Sequence, residues 1–154
     1  MGTRPYHARP LPRPPPMTPL TTFALAFGLT LAALVVTLVT GLRWRVKRRR
    51  AVHIGSVVVA LGCFGWTIAA AYRVGTLYDL PAAGWIYPVH MFLARVATLC
   101  LLLPTISGIA ILLGDGGHAR HRKLAFFAFG MVVLAAVTGA WMLSAAPRID
   151  VLAG

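Results

Sequence analysis

The sequence has no glutamate and only three aspartates, Asp79, Asp115 and Asp150. All three fall outside the long apolar runs, so a carboxylate proton relay inside a membrane is not expected. A di-iron site built from Glu and Glu-x-x-His is excluded on the same ground. Cysteine is nearly absent as well. Cys63 and Cys100 fall in different apolar runs at different depths, which disfavours a disulfide or a shared metal site and leaves them as small apolar core residues. No P-loop, H-E-x-x-H or G-x-S-x-G is present. No residue is assigned a catalytic role, and an electron carrier, assembly factor or accessory subunit fits better than an enzyme.

The chain also lacks the polar surface that a soluble domain needs. Only 12% of its 154 residues are charged and 58% are hydrophobic, for a mean hydropathy of +0.78. Four apolar runs exceed the eighteen residues that mark a membrane span: Leu20–Leu42, Ala51–Tyr72, Trp85–Leu113 and Leu124–Ala146. They predict an all-α fold, an integral membrane antiparallel four-helix bundle. Pro104 lies inside the third run and should tilt or kink it, with Thr105 and Ser107 able to satisfy nearby backbone groups. The first nineteen residues hold seven of the eleven prolines and predict a disordered Pro-rich tail, with Met17 an alternative start. The segment 147–154 is a short C-terminal tail.

Fifteen Lys and Arg give a formal net charge of +12. Beside apolar spans, such charge speaks for topology and anionic headgroups rather than nucleic acid. The first and third loops carry nine basic residues, from Arg43 to Arg50 and from Arg120 to Lys123; the other side carries five. The positive-inside rule then puts those two loops in the cytoplasm and both termini outside, in a bacterial inner membrane. Trp44 marks the inner interface, and Tyr72, Tyr78, Trp85, Tyr87 and Trp141 the outer one.

Histidine and one arginine remain as candidate site residues. His53 opens the second span. His121 precedes the fourth, with His118 three residues earlier in GGHARHRK. If the last helix starts near His118, then His118, His121, Ala125, Ala128 and Val132 share a face. The His53 face holds Ser56, Val57, Ala60 and Phe64. His53 and His121 thus come to one height on neighbouring spans. Two neutral imidazoles so placed can ligate a b-type haem axially, with nearby Arg and Lys suited to its propionates. The competing reading leaves both histidines solvated among headgroup charges. His90, in YPVHMFLAR near the outer end of the third span, could ligate copper with Met91, hydrogen-bond a quinone, help bind an outer cofactor, or simply pack against a backbone carbonyl. Arg95 lies about ten residues into that span. There it either snorkels or meets an anionic group such as a haem propionate.

The order of these parts carries a resemblance. His53 opens one span and Trp85–Val89 (W-I-Y-P-V) the next, with Leu102, Leu103 and Pro104 inside it. His121–Ala125 (H-R-K-L-A) precedes a last span bearing Val137, Thr138 and Gly139. Over about residues 50–145 this resembles the four-helix membrane family called domain of unknown function 420, whose members are implicated in cytochrome oxidase assembly. The family pattern has a further histidine deeper in the third span, where this chain has Arg95 and Ala97. The layout is also similar to four-helix b-type cytochromes.

The leading expectation is a small respiratory-chain membrane protein. It would bind haem b (or copper) through His53 and His121, with His118, His90 and Arg95 as further cofactor-binding candidates, and act in electron transfer or oxidase assembly. Its partners would be the lipid bilayer, a respiratory complex or oxidase, and quinone. The rival is a cofactor-free accessory subunit packing through Gly55, Gly62, Gly65, Gly130 and Gly139. A transporter is less well supported, for the sequence shows no convincing internal repeat.

Overall fold

The structure, a computed structural model, describes residues 18–42 and 47–149, with the backbone alone at 47–49. The proline-rich tail up to Met17, Trp44 and the end of the C-terminal tail lie outside the described residues. Four long helices account for almost all of the rest: α1 (Pro19–Leu42), α2 (Lys47–Gly75), α3 (Ile86–Leu112) and α4 (His118–Ala145). Each is long and apolar enough to cross a membrane. Two of the helices begin well before their apolar runs. α2 takes in the basic residues before Ala51, and α4 begins at His118 rather than Leu124. A helix satisfies its backbone whatever the side chains are, so polar residues that flank a span can extend it.

The helix ends follow local chemistry. Thr18 caps α1, its hydroxyl accepting from the Thr21 N–H at 3.2 Å, and Pro19 occupies the first helical position, where its missing N–H costs nothing. α3 runs unbroken through Pro104, and the Thr105 hydroxyl donates to the Leu101 carbonyl at 2.8 Å. It stops at Gly114, whose φ of 89° is the left-handed conformation that ends helices. The Asp115 N–H then reaches back to the Ala110 carbonyl. Between α2 and α3 a short 3₁₀ turn spans Leu80–Ala83. This connection is pinned to the chain after α4. Asp79 N–H donates to the Pro147 carbonyl, and Ile149 N–H to the Leu77 carbonyl.

α1 packs along α2 and α3 along α4, while contact between the two pairs is slight and is made mainly by α1 against α4. The pairs Thr30–Thr67, Thr37–Ser56 and Thr40–His53 show contacts climbing α1 as they descend α2. At mid-length a cluster of Ala97, Cys100, Leu101, Ala128 and Val132 forms the core, joined by Leu34 and Phe64 from the first pair. Cys63 and Cys100 are both unbridged thiols. Towards the Trp85 end the packing is close, with Ala26, Ala70, Val74, Ile86 and Met142 all buried. Towards the opposite end it thins. Across 36–42, 50–59, 102–112 and 118–127 the only buried residue is His53.

The Thr30 and Thr67 hydroxyls meet at 2.8 Å within this interior. Interhelical hydrogen bonds of this kind in membrane proteins contribute about 0.6 kcal/mol on average, and up to about 1.7. Thr30→Val should therefore lower unfolding stability in mixed micelles by roughly that range, and Thr30→Val with Thr67→Val should cost less than twice the single change.

Candidate functional site

The two histidines singled out on different helices come together. The His53 and His121 rings lie 6.3 Å apart between centroids, with their planes at 88°. His53 is 8% exposed and His121 half-buried. The faces expected around them hold: Ala60, Ala128 and Val132 are buried, with Ser56, Val57, Phe64 and Ala125 partly so.

Each ring is held from behind by the other helix of its own pair. His53 Nδ1 lies 3.0 Å from the Thr37 carbonyl and 3.3 Å from the Thr40 hydroxyl. A carbonyl only accepts, so Nδ1 carries the proton and the lone pair sits on Nε2. A Cβ added to Gly41 would stand 3.0 Å from His53 Cε1, so the Cε1 edge of the ring abuts the glycine. On the second pair, His121 Nδ1 is 2.9 Å from the Ser107 hydroxyl, which donates its own proton to the Pro104 carbonyl. With that proton donated to Pro104, Ser107 accepts from Nδ1–H, and the lone pair again sits on Nε2. The His121 ring also meets the Pro104 carbonyl, and Gly108 leaves it room, a Cβ there being 3.3 Å from Cε1.

The same socket recurs a third time. His90 Nδ1 is 3.2 Å from the Thr138 hydroxyl, which donates to the Leu134 and Ala135 carbonyls. The ring also meets the Ala135 carbonyl. A Cβ on Gly139 would stand 2.8 Å from His90 Cε1. Every socket has one pattern: glycine, a hydroxyl one residue before it, and a carbonyl four residues before it. The helix geometry requires this spacing, because a Ser or Thr one step before the glycine borders the same groove as the carbonyl one turn below.

Sequence reasoning missed the sockets. The signal is present, since the chain contains three Ser/Thr–Gly pairs, Thr40–Gly41, Ser107–Gly108 and Thr138–Gly139. All three face a histidine.

The other candidates stand apart from the pair. His118 is the first residue of α4 and exposed, one turn from His121. His90 lies eighteen residues before Gly108 on α3, and Gly139 eighteen beyond His121 on α4; at 1.5 Å per residue that is roughly 27 Å along the axis. Arg95 is exposed on α3, roughly 18 Å along the helix from Ser107. A helical side chain leans towards its helix N-terminus, so Arg95 leans towards the Trp85 end and away from the His53–His121 pair. Basic residues do gather at the pair's own end, where Arg50, Arg120, Arg122 and Lys123 are exposed. Among the described residues no group of three His, Cys, Asp or Glu side chains could hold a metal ion.

No family model, curated protein or solved structure matches the chain.

Proposed function

We propose that the four helices form an antiparallel bundle spanning a bacterial inner membrane, and that His53 and His121 are the axial ligands of one b-type haem. The protein would then act in the respiratory chain, in electron transfer or cytochrome oxidase assembly. The observation that carries the reading is the facing pair of imidazoles, each with Nδ1 turned into a socket and its lone pair on Nε2. Metal–imidazole bonds of roughly 2.0–2.1 Å on both sides of one iron separate ring centroids by roughly 6 Å, in line with the 6.3 Å found. Second-contact hydrogen bonds from the other ring nitrogen are the usual way a ligating histidine is oriented and its tautomer fixed.

The surroundings support the same ligand. Little else among the described residues is buried at that end, which suits a site completed by a flat macrocycle. The exposed cations there suit its propionates. The motif-level likeness to the domain of unknown function 420 family bears on the role, cytochrome oxidase assembly, and not on the ligand. Titrating the purified protein with haemin tests the reading: binding should saturate at about one haem per chain and should be lost in the double variant His53→Ala/His121→Ala. Copper is the alternative occupant of the pair, and metal analysis of the same preparation separates the two.

A cofactor-free accessory subunit is the second reading. It is favoured by one observation: a Cβ at Gly55, Gly62, Gly65 or Gly130 would meet nothing within 4 Å. Those glycines are not used for packing within the chain, so close approach there is left to lipid or another protein.

Orientation is tested separately. By the nine-to-five basic count, the connection after Leu42 is cytoplasmic and the Thr76–Gly84 connection lies outside. Alkaline phosphatase fused at Arg50 should be inactive, and fused at Ala83 active. The reverse pattern would put the histidine pair at the outer face.

A further inference from the structure

His90 occupies the third socket, yet no histidine faces it among the described residues. The Thr138 hydroxyl has one proton, which it can give to the Leu134 or the Ala135 carbonyl; in that arrangement it accepts from His90 Nδ1–H, and Nε2 is left as the acceptor. A neutral imidazole fixed this way binds a ligand that brings a metal or a hydroxyl proton.

The surroundings choose between those two. A bare metal ion would find one protein donor, since Met91 on the next residue diverges by about 100° and no cluster of three ligand side chains exists among the described residues. A macrocycle needs room, whereas α3 and α4 are closely packed at this end, with Ile86 and Met142 buried. His90 itself is half-buried, and Val89 and Phe92 beside it are open to the surroundings, Phe92 at 65%. One turn nearer the helix start lie Tyr87 and the Trp85–Trp141 pair, whose rings meet edge to face at 5.1 Å. An apolar aromatic ligand could reach His90 sideways at the level of this aromatic belt.

We propose that His90 is a binding site for a membrane-soluble hydroquinone, whose hydroxyl donates to Nε2, and that it discriminates against the oxidised quinone. A quinone carbonyl needs a donor, and the only ring N–H of His90 is committed to Thr138. The site stands roughly 27 Å from the His53–His121 pair and does not depend on what that pair binds.

The test is calorimetric titration of the purified full-length protein in detergent with tetramethylhydroquinone, and in parallel with tetramethylbenzoquinone, against detergent blanks. Saturable hydroquinone binding is expected, about tenfold or more tighter than quinone binding, as for loss of one hydrogen bond. His90→Phe should weaken hydroquinone about tenfold and abolish the preference. If His90→Phe does not fold, Gly139→Ala decides, since its Cβ would displace the ring. His53→Ala and His121→Ala should leave hydroquinone binding unchanged, so failure of the haem reading and failure of this one are separate results. No saturable binding, equal affinity for the two redox forms, or unchanged binding in the folded variants would each overturn the proposal.

Discussion

His53→Ala and His121→Ala are each expected to remove the low-spin haem spectrum, whereas His118→Ala leaves it nearly intact. The expectation follows from the sockets. His53 and His121 each have Nδ1 engaged by the neighbouring helix, so both rings are held in place before any ligand arrives. If the pair holds a haem as proposed, losing either imidazole would leave one protein ligand where two are needed, and the spectrum should turn high-spin or vanish. His118 is the first residue of its helix and is exposed, one turn out from His121. Haem content and the reduced spectrum of the three variants, prepared alongside the parent protein, check this. Loss in His118→Ala equal to that in His121→Ala would mean that the wrong histidine has been named.

Enlarging the socket glycines should be nearly as damaging. A Cβ at Gly41 would already stand 3.0 Å from His53 Cε1, and one at Gly108 3.3 Å from His121 Cε1. Gly41→Val must push the imidazole off its hydrogen bonds to Thr37 and Thr40 and out of line with His121. Haem affinity should fall at least about tenfold, equivalent to about 1.4 kcal/mol. Gly41→Ala should cost more than Gly108→Ala, because its contact is the tighter. Gly55→Val and Gly62→Val serve as controls, since open space surrounds both positions. A haem titration across the series reads the order directly, and equal losses at Gly41 and Gly55 would show that the effect is on folding and not on the rings.

Much of the architecture was legible in the residues themselves. Spans of more than eighteen apolar residues have one structural outcome in lipid, so the four helices followed from composition. The juxtaposition of His53 and His121 was legible too, because both open a span on the same side of a helix connection and 1.5 Å per residue fixes their height. Their tautomers were not. Those depend on which neighbouring carbonyl each Nδ1 meets, and that is set by the register of α1 against α2 and of α3 against α4. The glycines illustrate the same limit. Gly41, Gly108 and Gly139 accommodate imidazoles, while Gly55, Gly62, Gly65 and Gly130 face outward, yet in sequence Gly139 reads like the outward four, as a small residue for close helix packing. Arg95 shows it again: its depth was countable, but the face of α3 it occupies depends on where α4 lies.

The facing histidines rest on geometry that a spectrum can test in one step. The measurement is the optical absorption of the protein purified gently from haem-replete cells, taken oxidised and then reduced with dithionite. Two axial imidazoles predict a low-spin spectrum with sharp bands on reduction, at about one haem per chain. A folded preparation that is colourless, and stays so after incubation with haemin, would contradict the assignment of His53 and His121 as haem ligands.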